Sequence, residues 1–429
     1  MNQINCPAIL ISAPASGQGK TLSTAALARA WRNRGLNVRA FKCGPDFLDP
    51  MVLETATGQP VYNLDLGMCG EHDGLVRLYQ AAQTADVIIV EGVMGLYDGT
   101  PSSADIALRY KLPVMLTIDA SGMAQTFGAL ASGLLGYQPA LIPAGVLANK
   151  VGSTGHADML KDSLPAHLNW LGALPQDEAY TLPERHLGLF RAQEITDLDA
   201  RIEAAALALA ASSALPLPPM VTFIAPETAS ISPKLLAGKT IAIARDAAFC
   251  FIYPANIDCL QEMGATVTFF SPLHDKTLPE ADAYWLPGGY PELHLKEISE
   301  NTAMRDALLA VFNADKPMLA ECGGMMALSE SINGEPVYGL LAGKSHIEPR
   351  LQGLGTQHTE LLEDIGNIGA HTFHYGKFNT QLTPKCQANS RYGAGENIYQ
   401  HDSITATFLH FYFSSNPALA ARLFSYAKP

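Results

Sequence analysis

Basic residues are scarce in this chain: 28 Lys and Arg stand against 41 Asp and Glu, a formal net charge of −13 at pH 7. Nucleic acids and anionic membrane surfaces are held mainly by excess Lys and Arg, so the deficit argues against both as partners. Any anionic ligand must meet a local positive site instead. Cysteine is sparse, and the seven residues at 6, 43, 69, 250, 259, 322 and 386 form no close-spaced metal pattern. An odd, scattered set is expected of reduced thiols in a cytoplasmic protein. No basic segment precedes an apolar run at the start, so no signal peptide is expected. The most membrane-like stretch, Met123 to Tyr137, is broken by Gln125, Ser132 and several glycines, which predicts a buried small-residue helix rather than a span. Nothing repeats at a fixed period. With 429 residues, 48% of them hydrophobic, the chain is long enough for two or three domains.

What is present is organised around Pro14 to Thr21, Pro-Ala-Ser-Gly-Gln-Gly-Lys-Thr. An apolar strand, Ala8 to Ser12, runs into it, and a helix-forming stretch, Leu22 to Arg34, runs out of it. That context is what a phosphate-binding loop needs. Gly17 and Gly19, with Ser16 beside them, allow backbone N–H groups to turn inward on a phosphate. Lys20 reaches the terminal phosphates, and Thr21 offers a hydroxyl to Mg2+. Pro14 departs from the usual pattern, standing where its first glycine belongs.

Strands then alternate with helices, which predicts a doubly wound parallel α/β sheet. Val38 to Cys43 reads as a strand ending in Lys42-Cys-Gly-Pro-Asp-Phe-Leu-Asp-Pro50, where Gly44-Pro45 and Asp49-Pro50 force a turn outside the strand's carboxyl end. Lys42, Asp46 and Asp49 would then face the phosphate site. Asp86 to Val90 ends in Glu91, the candidate acid for holding Mg2+, with Asp98 behind it. Val114 to Ile118 and Gly145 to Ala148 follow, the latter leading to Asn149, whose amide is a candidate reader of a purine edge. A helical stretch, Ala200 to Ala214, precedes Leu215-Pro-Leu-Pro-Pro219. The expected organisation is a nucleotide-dependent domain at 1–214, a linker at 215–238 and a second α/β domain at 239–429.

In the second half, Thr240 to Ala244, Thr266 to Phe270 and Ala283 to Leu286 read as strands, the last entering Pro287-Gly-Gly-Tyr-Pro-Glu-Leu293. Pro317 to Ala320 leads into Glu321-Cys322-Gly323-Gly324. A cysteine at a strand tip, followed by glycines and a helix, has the layout of a nucleophile elbow. The helix N-terminus is expected to lower the thiol pKa. The N–H groups of Gly289 and Gly323 are candidate oxyanion donors. Among twelve histidines, His410 follows the apolar run Ile404 to Leu409 and is the candidate base. His371 and His374 lie on an alternating stretch that points them to opposite faces, a poor metal pair.

Four stretches, Lys42-Cys-Gly-Pro-Asp-Phe-Leu-Asp-Pro, Val90-Glu-Gly-Val-Met-Gly-Leu-Tyr-Asp-Gly, Leu286-Pro-Gly-Gly-Tyr-Pro-Glu-Leu and Ala320-Glu-Cys-Gly-Gly, carry a resemblance over nearly the whole chain. It resembles the cobyrinic acid (hydrogenobyrinic acid) a,c-diamide synthase family. The resemblance implies a dethiobiotin-synthetase-like ATP domain joined to a class I glutamine amidotransferase domain, making the a- and c-amides of the corrin ring in cobalamin biosynthesis. It implies that Lys20, Thr21 and Lys42 handle ATP, and that Asp46, Asp49 and Glu91 hold Mg2+ and help place the carboxylate. Phe47, Leu48 and Asp98 would lie on the corrinoid, Cys322 would be the glutaminase nucleophile and His410 its base. Ala370-His-Thr-Phe-His and Tyr412 depart from the family's forms. The His-x-Glu pattern usual in class I amidotransferases is absent, which leaves the group orienting His410 open.

Chemical need gives the expected mechanism. A carboxylate resists ammonia until ATP converts it to an acyl phosphate, and a glutaminase in the same chain supplies unprotonated ammonia. Cobyric acid synthase and the enzyme amidating nickel sirohydrochlorin are the nearest alternatives. A partitioning-type ATPase switch is another, though its usual early P-loop lysine is missing. Self-association as a homodimer stays open.

Overall fold

The computed structural model describes residues 2–185, 188, 189, 192–226, 233–359, 361, 365–391 and 393–425. Contacts divide the chain into two units, residues 1–66 with 70–228 and residues 67–69 with 229–429.

The first unit is a parallel sheet with helices on both faces. Its strands are β1 (Gln3–Ser12), β2 (Val38–Cys43), β3 (Tyr62–Leu64), β4 (Val87–Glu91), β5 (Val114–Asp119), β6 (Pro143–Val151) and β7 (Trp170–Pro175). They lie in the order β3-β2-β4-β1-β5-β6-β7. Continuous apolar runs form these strands because both faces are covered. Leu10, Phe41, Ile88 and Val90 fill one side, while Ile9, Ile11, Val87 and Ile89 meet Ala25, Leu27 and Trp31 of helix α1 (Lys20–Asn33) on the other. The chain leaves β1 in mid-sheet, so the crevice at the carboxyl ends of β1, β2 and β4 is where an open parallel sheet takes its ligand.

Three expectations change here. The stretch around Asp49-Pro50 is the first turn of helix α2 (Leu48–Thr57) rather than a free turn. Pro is tolerated in a first helical turn because its missing N–H has no intrahelical partner there. Within the expected linker 215–238, Met220–Ile224 forms an antiparallel strand on β1, pairing Gln3 with Ile224 and Pro7 with Met220. Residues 227–232 of that stretch lie outside the described residues. The helix expected within Met123 to Tyr137 is Thr126–Tyr137, which buries only one side and leaves Tyr137 exposed. Among the described residues no helix is long and apolar enough to cross a membrane.

The second unit has a ten-stranded sheet. Five parallel strands, Thr266–Phe270, Thr240–Ala244, Ala283–Leu286, Met318–Glu321 and Ile404–Thr407, lie side by side in that order. Antiparallel strands continue from the last of them, through Gly393–His401, Cys386–Ser390 and Gly353–Thr359 to Ile368–His374. The short strand His410–Phe411 then pairs with Ala370 and His371. Only Phe408 and Leu409 separate it from Ile404–Thr407, so the sheet must curl until its far end returns to the tip of Met318–Glu321. His410 therefore opens its own strand instead of ending the apolar run 404–409, and the curl is what carries it to the elbow.

Candidate active sites in the two units

In the phosphate loop, Gly19 adopts φ 82° and precedes α1. A Cβ there would lie 2.1 Å from Asn149 Nδ2, so only glycine allows the contact that closes the loop. The Asn149 amide donates to the Gln18 carbonyl at 3.0 Å, and Gln18 Oε1 accepts the Asp119 N–H at 3.0 Å. Asn149 thus braces the loop through its amide nitrogen, a role the sequence reading did not give it. Ser16 and Gly17 are exposed at the loop tip. Lys20 folds back to donate to the Ala15 carbonyl at 3.1 Å. Burial, then the neighbouring Lys42 charge, pushes its pKa down to about 8.

Below the loop sits a buried charge network. Glu91 Oε1 accepts from Thr21 Oγ1 at 2.8 Å and from Lys42 Nζ at 3.0 Å. Lys42 also donates to the Gly92 carbonyl at 3.1 Å and pairs with Asp49 Oδ2 at 2.6 Å. Burial opposes the Lys42 charge, but Asp49 and Glu91 outweigh it and hold the ammonium above its usual range. Burial likewise opposes ionisation of Asp49, and the Lys42 charge overcomes it, keeping that carboxyl below its ordinary value. Glu91 is pushed up to about 7 by burial, against the pull of Lys42. Asp46 is pushed up to about 6 by burial and then by Asp49. Its Oδ1 accepts the N–H groups of Leu48 and Asp49 at 2.7 and 3.2 Å, starting α2. Phe47 and Leu48 are half-buried at that helix start. Asp98 Oδ2 accepts the Gly95 N–H at 3.0 Å and shapes the loop after β4.

No cluster of three or more His, Cys, Asp or Glu that could hold a metal ion occurs among the described residues. Mg2+ in phosphoryl-transfer sites needs no such cage, since it takes one or two carboxylates and completes its shell with phosphate and water. Glu91 Oε2 is buried and has no hydrogen-bond partner. An unsatisfied carboxylate oxygen beside the Thr21 hydroxyl fits that cation.

In the second unit, Cys322 follows Met318–Glu321 and precedes the helix Gly323–Leu328, with φ 47° and ψ −108°. A non-glycine residue at positive φ is strained, and such strain persists where surrounding structure imposes it. Here the Cys322 N–H donates to the Thr407 carbonyl at 2.7 Å. A Cβ on Gly324 would lie 2.0 Å from the Leu286 carbonyl oxygen, so the helix packs backbone to backbone on the neighbouring strand end. Gly288 is the meeting point of the two candidate catalytic side chains. Its missing Cβ would stand 2.2 Å from His410 Cε1 and 3.3 Å from Cys322 Cβ. The Gly288 carbonyl accepts the Cys250 and Phe251 N–H groups, each at 3.0 Å. Because the peptide is planar and trans, that fixes the Gly289 N–H on the opposite side. A Cβ on Gly323 would lie 3.0 Å from the Gly289 nitrogen. The two oxyanion candidates are neighbours.

The electrostatics correct one expectation. Burial, reinforced by Glu292, pushes the Cys322 thiol well above its usual range, against the pull of the Gly323 N–H. His410 is pushed down to about 3 by burial, with His371 and His374 adding. Burial favours the uncharged form of both groups, so moving the thiol proton to the imidazole runs uphill in the ligand-free protein.

Sequence reasoning missed Glu321. It is 1% exposed, accepts Trp285 Nε1 at 3.0 Å through Oε2 and accepts the Phe411 N–H at 2.9 Å through Oε1. Burial pushes its carboxyl up to about 8. A carboxylate ending an otherwise apolar strand was the available signal, because a buried acid requires partners.

A P-loop unit followed by an α/β unit with a cysteine–histidine elbow defines an ATP-using enzyme that takes nitrogen from glutamine. Residues 9–190 match the CobQ/CobB/MinD/ParA nucleotide binding domain and residues 240–418 the CobB/CobQ-like glutamine amidotransferase domain. The chain is 52% identical over 432 residues to hydrogenobyrinate a,c-diamide synthase of Stutzerimonas stutzeri, covering 99% of each chain. It is 50% identical over 436 residues to the hydrogenobyrinate a,c-diamide synthase of Pseudomonas aeruginosa, covering 100% of this chain and 99% of that one. To cobyrinate a,c-diamide synthase of Herminiimonas arsenicoxydans it is 46% identical over 429 residues, covering 97% and 96%. The chain belongs to the cobyrinate and hydrogenobyrinate a,c-diamide synthase family, whose members are glutamine-dependent amidating ligases.

Proposed function

We propose that this enzyme amidates the a and c carboxylates of cobyrinic or hydrogenobyrinic acid, through acyl phosphates, with ATP and glutamine as co-substrates. The observation that carries the reading is likeness to such synthases along the full chain. In the glutaminase site, Cys322 sulfur attacks the glutamine carboxamide carbon while His410 takes the thiol proton. The oxyanion is received by the N–H groups of Gly289 and Gly323, and the proton passes from His410 to the leaving ammonia. Water then cleaves the thioester to glutamate. In the synthetase site, a substrate carboxylate oxygen attacks the γ-phosphorus of ATP, ADP leaves, and ammonia displaces phosphate from the acyl phosphate. Lys20 and Lys42 offset the charge that develops.

Thr21 and Glu91 would hold Mg2+, with Asp46 and Asp49 beside them. Bound there, the ion would supply charge neutralisation for the phosphates. Lys42 keeps Asp49 ionised, and Asp46 holds the start of α2 so that Phe47, Leu48 and Asp49 meet the macrocycle, with Asp98 shaping the opposite loop. The seven cysteines are all free thiols, which supports a cytoplasmic location. The deciding experiment offers cobyrinic acid, hydrogenobyrinic acid and nickel sirohydrochlorin separately and measures glutamate release and ADP formation. One of the first two should stimulate both. Stimulation by the nickel compound alone would overturn the corrin assignment.

A further inference from the structure

His410 has no carboxylate two residues on: that position is Tyr412, which is buried with its ring 5.6 Å from that of Tyr253. The backbone that carries His410 is nevertheless held on both sides. Glu321 Oε1 accepts the Phe411 N–H at 2.9 Å. The Asn256 amide donates to the Phe411 carbonyl at 2.7 Å, and Asn256 Oδ1 accepts the Phe413 N–H at 2.7 Å. Glu321 and Asn256 are each 1% exposed, so neither bond competes with water. Glu321 also directly precedes the nucleophile, and its second oxygen is pinned to Trp285 on the adjacent strand at 3.0 Å. One side chain therefore ties the strand that presents Cys322 to the strand that presents His410.

We infer that Glu321 and Asn256 are positioning residues for the glutaminase: a clamp on the Phe411 peptide sets the His410 ring against Cys322. The inference rests on Cys322 and His410 being the nucleophile and base. A fixed backbone at residue 411 leaves His410 little freedom beyond its own side-chain torsions, and Gly288 and the Phe251 ring, 6.0 Å away centroid to centroid, bound those. The clamp touches neither glutamine nor ATP, so its loss lowers turnover without weakening either substrate.

The test uses the full chain and compares glutamine-dependent with ammonium-dependent amidation in Glu321→Ala, Glu321→Gln, Asn256→Ala and Trp285→Phe. Misplacing a catalytic group by about 1 Å costs about 10²-fold, so Glu321→Ala and Asn256→Ala should lose glutaminase kcat on that scale with KM for glutamine and the ammonium rate unchanged. Glu321→Gln should recover part of the loss, since its amide oxygen can still accept from Phe411. Trp285→Phe should stay near the parent because the Phe411 bond survives. Normal glutaminase kcat in Asn256→Ala and Glu321→Ala would overturn the clamp. So would a change confined to KM, equal losses with both nitrogen sources, or aggregation of all the Glu321 and Asn256 variants, which would make these residues props of the fold. Cys322→Ala is the separate control: if it keeps glutaminase activity, the underlying assignment fails, whatever the clamp variants do.

Discussion

Both candidate sites are strand–turn–helix corners, and they are electrostatic opposites. At the phosphate loop, burial has gathered charge: Lys42 lies between Asp49 and Glu91, and Thr21 and Lys20 complete the group. At the cysteine elbow, burial has removed charge, leaving a thiol held up and an imidazole held down. The reactions explain the difference. Phosphoryl transfer moves dense negative charge, which fixed cations stabilise best where water is excluded. Cleaving a neutral carboxamide starts from uncharged partners, and charge develops only as the sulfur–carbon bond forms and the proton moves, beside the candidate oxyanion donors Gly289 and Gly323. The same backbone corner serves both because its glycines and helix start provide N–H donors, and the chemistry is chosen by what the neighbouring strands bring.

If the two corners act independently, Cys322→Ala gives the largest contrast. Glutamine-dependent amidation should fall by about 10⁴-fold or more, the scale for losing a nucleophile, while a high-ammonium assay stays near the parent rate. Residual glutaminase activity in that variant would remove Cys322 from its role. Glu91→Ala and Lys20→Ala should each cut amidation by about 10²–10³-fold, equally with glutamine and ammonium; a normal ammonium rate in Glu91→Ala would dismiss it as a phosphoryl-transfer group.

The buried network also makes a stability prediction. Lys42→Ala leaves two buried carboxylates without their cation, a change that costs about 3–5 kcal/mol, visible as a lowered denaturation midpoint. An unchanged midpoint would mean that the carboxylates become protonated at no net cost. The smallest effect is in pH dependence. Glu91 and Asp46 are raised to about 7 and about 6, so the folded chain holds those protons more tightly than the unfolded chain. The stability they contribute is complete below about pH 4 and is lost as pH rises through 6 and 7. Asp49, held low, acts the other way, its share disappearing only as pH falls below its ordinary range. In the ligand-free protein, Glu91→Gln should flatten the unfolding free energy between about pH 5 and pH 7. Parallel curves for parent and variant would exclude Glu91 as the titrating group.

Much of this was legible in the chain itself. Gly17, Gly19, Lys20 and Thr21 are contiguous, and a phosphate loop is a local backbone shape, so its residues announce it without help from the rest of the molecule. The same holds for Cys322 with its glycines, and for apolar runs such as Val87 to Val90 that only a sheet covered on both faces can hide. What tertiary structure alone decided is which distant groups arrive at each corner. Thr21 meets Glu91 across 70 positions, and Glu321 reaches Phe411 across 90. Strand order and the curl of the second sheet set those meetings, and neither is written in any local pattern. The charge states are tertiary for the same reason. A helix start by itself would favour a thiolate at Cys322, and only the closed packing around it reverses that preference, because desolvation depends on everything that surrounds the sulfur rather than on the residues that precede and follow it.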